Sequence, residues 1–397
     1  MWFPVKWAYM KLTVLQCAIK LCRWSFLPVR VATVRLRTMR HLGGSNLILP
    51  TGCMEKMTRR AALAGLAASL TATGMARAAT PYPLSDHYDG KRFFNTGGVE
   101  TNKGLGALLR WQRERNPVPW PDWIENKPWP KPQPVGQGDI SVTFIGHACF
   151  LIGIGGRWFI TDPVYAERAS PVSFAGPRRV RAPGLSFDDL PRLDGILVSH
   201  NHYDHLDRDA LRELDRRFQA PVVTSLGNKA LIQASGPQVV TELDWWQAHS
   251  LAGVEITYVP AQHFSARGLF DRNATLWGGF VLRAGGRTVY FVADSGYCPH
   301  FLEIGRRFPG IDLSLIPIGA YEPRWFMQAM HINPEEAVQV HLDVGSRRSI
   351  GMHFGTFAGL TDEGIDDPVT ALAAARAVHG LTEQDFGILD VGQTLVI

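Results

Sequence analysis

His200-Asn201-His202-Tyr203-Asp204-His205 places three imidazoles and a carboxylate within six residues. The apolar run Gly195-Ile196-Leu197-Val198-Ser199 stands directly before it, a pattern that predicts a buried strand emptying into a loop. Borderline divalent metals take imidazole nitrogen and carboxylate oxygen, and catalytic zinc sites keep one position open for water. The alternation lets His200 and His202 face one ion while Asp204 and His205 turn toward a neighbour about 3.5–4 Å away, as in two-metal hydrolases. The plain alternative is a polar surface loop that is merely rich in histidine. Four ligand-type side chains at this spacing argue against it.

Three further places end an expected strand with a metal-type side chain. Val254–Pro260 runs into Ala261-Gln262-His263, Val289–Ala293 into Asp294-Ser295-Gly296, and Ser349–Met352 into His353-Phe354-Gly355. A lone strand-end histidine is more often a satisfied structural residue. Recurrence is stronger, because strand ends on one edge of a sheet converge on a common crevice. His263, Asp294 and His353 are therefore expected ligands, with Asp294 bridging two ions through its two oxygens.

The elements that must position these residues follow from the apolar pattern. Strands are expected at Ile140–Ile145, Phe150–Ile154, Trp158–Thr161, Gly195–Ser199, Val222–Thr224, Val254–Val259, Gly279–Leu282, Val289–Val292, Leu313–Ile318 and Ser349–His353. Helices are expected at Arg208–Phe218, Pro334–Leu342 and Thr370–Val378. Two early hairpin-like strands followed by β-α alternation predict an α/β fold of two sheets covered by helices. Ten prolines and tryptophans crowd Pro117–Pro134, which excludes helix and central strand there and predicts an extended surface segment. An apolar lip for a greasy substrate is the functional alternative.

The 397 residues allow one large domain or two ordinary ones, and the formal charge of +5 invites a nucleic-acid reading. The distribution removes it. Residues 1–79 hold twelve Lys/Arg and one acid, Glu55, whereas residues 80–397 carry 29 basic and 35 acidic side chains, a net of −6. The body has no electrostatic case for binding polyanions, so no nucleic-acid partner is expected. Cys17, Cys22 and Cys53 lie in the basic leader, and Cys149 and Cys298 are expected to be small buried packing residues.

Thr58-Arg59-Arg60, the sixteen uncharged residues Ala61 to Ala76, and Ala76-Arg77-Ala78 together resemble a twin-arginine export signal. The expected organisation is thus 1–53 as a non-native or unstructured leader, 54–79 as the signal, 80–138 as an extension packed on the core, and 139–397 as the catalytic domain. A start at Met54 or Met57 explains the leader most simply; a basic interfacial helix around Val5–Trp24 is the alternative. An exported, periplasmic location follows from the signal. No run of eighteen apolar residues occurs, so no transmembrane span is expected, which leaves peripheral membrane contact open.

The order of these ligands resembles the metallo-β-lactamase fold family, and the surrounding blocks narrow the match. Phe144-Ile145-Gly146-His147-Ala148, Thr161-Asp162-Pro163-Val164, Gly176-Pro177-Arg178-Arg179, Ser199 to Asp207, Pro260 to His263, Leu276-Trp277-Gly278, Ala293 to Tyr297 and Asn333 to Ala337 are similar to the branch containing N-acyl-phosphatidylethanolamine-hydrolysing phospholipase D. The likeness runs from about Arg92 to the C-terminus. It implies a four-layer αββα sandwich with two zinc ions: His200, His202 and His263 on one, Asp204, His205 and His353 on the other, Asp294 between them. His331 matches an active-site histidine of the family, so His331 and Asp204 are the candidates for the catalytic step. His147 and Asp162 fall in family blocks and are expected to orient ligands or shape a turn. A homodimer is implied by resemblance alone.

The chemistry this implies is attack of a metal-bound hydroxide on a phosphodiester, releasing phosphatidate and an N-acylethanolamine from an N-acyl-phosphatidylethanolamine-like lipid. The fold alone does not choose among small-molecule esters, lactones and phospholipids. A lactonase or sugar-phosphate hydrolase is the alternative within hydrolases. An iron-based redox enzyme is argued against by His202, where such relatives carry a carboxylate. A non-catalytic metal- or lipid-binding protein is argued against by the complete ligand set. Trp245, Trp246 and the aromatic stretch Tyr321–Phe326 are candidates to line an acyl path, with packing the plainer role.

Overall fold

A computed structural model describes residues 81–397; the expectations for 1–53 and 54–79 lie outside the described residues. The strands are β1 (Ile140–Gly146), β2 (Cys149–Ile154), β3 (Arg157–Thr161), β4 (Arg178–Arg179), β5 (Gly195–Val198), β6 (Val222–Ser225), β7 (Val240–Leu243) and β8 (Ala248–Leu251). They continue as β9 (Val254–Pro260), β10 (Gly278–Ala284), β11 (Arg287–Phe291), β12 (Leu313–Pro317), β13 (Ser349–Met352), β14 (Phe357–Ala358), β15 (Phe386–Gly387) and β16 (Thr394–Val396). The helices are α1 (Leu105–Glu114), α2 (Arg208–Phe218), α3 (Lys229–Gln233), α4 (His300–Arg307), α5 (Arg324–Met327), α6 (Pro334–Asp343) and α7 (Asp367–Val378).

All ten expected strands and all three expected helices are present, with strand ends within two residues of the expected positions. The six strands not foreseen have two to four residues each: β4, β14 and β15 have two, β16 three, and β7 and β8 four, too few for a period to show clearly. Helices α1, α3, α4 and α5 were also not foreseen.

Two seven-stranded sheets form, in the orders β16-β1-β2-β3-β5-β6-β7 and β15-β13-β12-β11-β10-β9-β8. Strands β1, β5 and β12 are buried along their whole length, covered on both faces. Alternate residues still go to different layers. Ile196 and Val198 of β5 join Leu211 and Leu214 of α2 in one core beneath the helices. Val292, Ile316 and Ile318 meet Phe301 and Ile304 of α4, Val338 of α6 and Leu372 of α7 in the other. The remaining side chains lie between the sheets: a Cβ on Gly195 would meet Leu251 at 2.8 Å, and the Tyr258 hydroxyl donates to the Ser199 carbonyl at 2.8 Å. The result is the expected αββα layering.

Helix ends secure the loops that matter. Asp207 caps α2, accepting the N–H groups of Asp209 and Ala210, while its second oxygen accepts from Tyr165 and Ala166. Asn333 and Glu336 form a reciprocal capping box on α6, with Pro334 in its first turn. Each such cap stabilises by about 1 kcal/mol.

The Pro- and Trp-rich segment has neither helix nor strand and lies extended along the body. The Val118 N–H donates to the Asp362 carbonyl, the Trp120 indole to the Glu363 carbonyl and the Ile124 N–H to the Val180 carbonyl. Trp245 is buried and stacks on His87, and its indole donates to the Trp277 carbonyl. Phe326, Met327 and Met330 pack with Trp111. These side chains are buried in packing contacts, whereas Trp325 is exposed. Cys149 and Cys298 are buried and free, as expected. Among the described residues no helix is long and apolar enough to cross a membrane.

Candidate metal centre

Strand direction explains why the ligand-type residues meet. β3 and β5 run parallel, as do β11, β12 and β13. β9 and β11 both pair antiparallel with β10, so they share a direction. The ends of β5, β9, β11 and β13 therefore open on one edge, where His200–His205, His263, Asp294 and His353 follow them.

The structure brings all seven expected ligand residues together. Donor atoms of His200, His202, His263 and Asp294 lie within 4.8 Å of one another, and so do those of His147, Asp204, His205 and His353. His202 Nδ1 is 2.9 Å from His200 Nε2 and 3.3 Å from His263 Nε2. In the second group His205 Nε2 and His353 Nε2 are 3.3 Å apart, with Asp204 Oδ2 3.8 and 3.6 Å from them. Asp294 stands between the groups, 3.2 Å from both His205 Nε2 and His353 Nε2 and 3.6 Å from His263 Nε2. His331 borders the same carboxylate, its Nδ1 3.9 Å from Asp294 Oδ2.

The surrounding chain sets which ring nitrogen faces inward. Asp162 Oδ2 accepts from His205 Nδ1 at 2.7 Å and from the Ser199 hydroxyl at 2.6 Å. That hydroxyl oxygen is left to accept from His200 Nδ1 at 2.9 Å, and His263 Nδ1 donates to the Met330 carbonyl at 2.9 Å. Nε2 of His200, His205 and His263 is thereby turned to the centre, as a lone pair on neutral His200 and His263 and on His205 once it gives up its proton. Asp162 thus orients ligands, as its position after β3 suggested. His147 is nearer than expected: its Nε2 is 3.1 Å from Asp204 Oδ2, and its carbonyl accepts the His353 N–H.

Electrostatics match the geometry. Burial pushes His263 and His331 down to about 3 and holds His200 well below the usual imidazole range, so these rings are neutral at pH 7. Burial also disfavours charge on His353 and His205, but Asp294 and Asp204 outweigh it, raising His353 to about 9 and His205 well above its ordinary value. Desolvation opposes charge on Asp204 and Asp294 as well; the neighbouring imidazoles, His205 foremost, overcome it and hold both carboxylates well below the usual range. A buried carboxylate, Asp294, whose Oδ1 lacks a hydrogen-bond partner, and a half-buried one, Asp204, both ringed by imidazoles, fit divalent transition metals.

Backbone strain collects here. His147, Asp162, Ala293 and His353 all have φ between 34° and 61°, a region that non-glycine residues seldom occupy. Gly319 follows β12, and a Cβ there would lie 2.2 Å from the His353 carbonyl oxygen, so only glycine lets the two strand ends run this close.

Several positioning residues carry no sequence signal. Arg267 is mostly buried and donates through Nη1 to the carbonyls of Asn201 (2.8 Å) and Leu206 (2.9 Å), bracketing the histidine loop. Its guanidinium lies 3.9 Å from the Tyr203 ring, whose hydroxyl donates back to the Arg267 carbonyl. Asn95 hydrogen-bonds the His263 backbone from 168 residues away. Nothing local marks either residue, because each acts on a loop remote in sequence.

A family model described as a beta-lactamase superfamily domain matches residues 157–354. An N-acyl-phosphatidylethanolamine-hydrolyzing phospholipase D 1 of Caenorhabditis elegans is 42% identical over 271 residues, 65% of this chain and 76% of that protein. The corresponding mitochondrial protein of Saccharomyces cerevisiae is 34% identical over 222 residues, 54% of this chain and 47% of that one. A solved structure from Veillonella parvula DSM 2008, described as a possible metal-dependent hydrolase, aligns with a TM-score of 0.53 at 18% identity, covering 64% of this chain and 98% of its own. With the sheet edge, the donor groups and these likenesses in agreement, the chain belongs to the metallo-β-lactamase-fold family of metal-dependent hydrolases, in the branch similar to N-acyl-phosphatidylethanolamine-hydrolysing phospholipase D.

Proposed function

We propose that this hydrolase is a zinc-dependent phosphodiesterase of phospholipase D type, cleaving N-acyl-phosphatidylethanolamine-like lipids to phosphatidate and an N-acylethanolamine. The observation that carries this reading is the meeting of two donor groups at Asp294 in a chain 42% identical to a relative named for that reaction. His200, His202 and His263 would hold one ion and Asp204, His205 and His353 the other, with Asp294 shared. Zinc suits a donor set of imidazole and carboxylate without sulfur. When bound, two such ions lower the pKa of a water to about 7 and neutralise charge developing on the phosphoryl oxygens.

The chain's own residues supply the rest. Asp162 and Ser199 hold His205 and His200 in the tautomer that points Nε2 inward, so no ligand need reorient during turnover. His147 braces Asp204, which serves as a ligand and as the second carboxylate beside the reacting phosphorus. Water adds to phosphorus, the bond from phosphorus to the ethanolamide oxygen breaks, and the departing alkoxide needs a proton. His331, neutral at pH 7, is placed to take the proton that the adding water sheds and pass it to this alkoxide: its ring is buried, and its Nδ1 has no hydrogen-bond partner among the described residues.

The test is to measure bound metal in the purified protein and then to assay it in parallel on an N-acylated phospholipid, a lactone and a simple phosphodiester. Release of N-acylethanolamine is expected. Turnover of the lactone alone would make the chain a lactonase. We also propose that residues 54–79 direct twin-arginine export to the periplasm; replacing Arg59 and Arg60 by Lys should retain the protein in the cytoplasm on fractionation.

A further inference from the structure

We propose that Asn95, in the segment before β1, is a positioning residue for His263, and that it sets the affinity of one metal position without affecting the other. The inference rests on reading His200, His202 and His263 as one metal position.

The ladder between β9 and β10 ends at the pair Pro260 and Gly278. Beyond it the chain continues to His263, fully buried, with no strand beside it to take its backbone N–H and C=O. A buried peptide group without partners is strongly disfavoured, so a loop left in that state would move to find water. Asn95 prevents this. Its Oδ1 accepts the His263 N–H at 3.0 Å, and its Nδ2 donates to the His263 carbonyl at 2.9 Å, the two bonds a neighbouring strand would have made. The carboxamide is itself held, since the Trp277 indole donates to Oδ1 at 3.2 Å and also to the Ala261 carbonyl at 3.1 Å. The Thr101 hydroxyl adds a longer contact to the His263 carbonyl.

His263 is therefore fixed at both ends, its backbone by Asn95 and its ring by the Met330 carbonyl. Metal-ligand distances tolerate only about ±0.2 Å, so slack in this backbone becomes loss of affinity at the ion His263 serves. The ion served by Asp204, His205 and His353 draws on strand ends that Asn95 does not touch. Asn95 also lies outside residues 157–354, which the family model matches, so the extension contributes directly to the centre.

Metal-stripped protein should be titrated calorimetrically with Co²⁺ alone, with the visible spectrum recorded alongside, for the wild type, Asn95→Ala, Asn95→Asp, His263→Ala and Thr96→Ala. The wild type should bind two ions. Asn95→Ala should weaken one of them about 10–100-fold and leave the other within about twofold, and its one-ion spectrum should match that of His263→Ala. Asn95→Asp keeps the acceptor but not the donor and should weaken the same ion by about tenfold; it answers the question if the alanine variant does not fold. Thr96→Ala loosens the same segment through its bond to His300 and should bind like the wild type. Equal weakening of both ions, unchanged binding in both Asn95 variants, or the same selective loss in Thr96→Ala would each overturn the role of Asn95 while sparing the metal reading. A wild type that binds no ion would overturn both.

Discussion

The two sheets deliver their donors in opposite ways. The first gives four from a single loop after β5, whereas the second gives one each after β9, β11 and β13. They are secured differently too. The loop is held as one piece, with Asp162 and Ser199 beneath it, Arg267 across it and Asp207 closing it as a helix cap. The dispersed donors depend on distant partners: Asn95 on the His263 backbone, the His147 carbonyl on the His353 N–H, and Gly319 giving room beside His353. A compact loop can be fixed as one piece by a few shared bonds, while three separate strand ends can meet only if the whole sandwich is in register.

This contrast can be broken or sharpened by substitution. The largest effect should come from Asp294→Ala, which removes the carboxylate both groups approach; metal analysis should find both ions lost and hydrolysis should fall by about 10³-fold or more. If one ion stays at full affinity, Asp294 belongs to a single group and the sheets are less tightly joined than described. His331→Ala should lower kcat by about 10²–10³-fold with both metals retained; loss of metal there would make it a ligand. Asp162→Asn leaves the loop in place but disturbs the acceptor that orients His205, and should weaken metal binding about 10–100-fold. An equal loss from a substitution at a dispersed strand end that touches no donor would erase the distinction between ligands held together and ligands held one by one.

The smallest effect concerns pH. His147, His202, His263 and His331 have folded values near 3, and His200 is also lowered, so their contribution is complete above their ordinary 6.5 and is lost as pH falls toward 3. His205 and His353 run the other way: their contribution is complete below 6.5 and is lost as pH rises, for His353 through about 9. Metal-free protein should therefore show its highest Tm near pH 6.5 and a steeper decline on the acid side. Adding Zn²⁺ should raise Tm by an amount that grows from pH 6 to pH 8, because His205 and His353 must release protons to bind it. Thermal scans with and without the metal check both, and a gain independent of pH would contradict the raised values.

Much of the first sheet's contribution was legible in the sequence, because an apolar run followed by His-x-His-x-Asp-His states both element and chemistry within eleven residues. The second sheet's donors were legible only as a recurrence, three strand ends each closing on a metal-type residue. Short edge strands such as β14 and β15 escaped, since two residues have no period. Arg267 and Asn95 escaped for a different reason. An arginine that donates to two backbone carbonyls, or an asparagine that substitutes for a missing strand, looks like any other polar residue until its partner is beside it.

Local patterning was enough for the layered α/β class, for the order in which donors follow strands and for the chemistry those side chains can perform, because apolar period and side-chain type are local properties. Only the tertiary structure decided which donors face one another, which ring nitrogen each presents and that a residue 168 positions upstream holds His263 in place. Those outcomes depend on the packing of two sheets face to face, a relation between distant segments that no window of sequence contains.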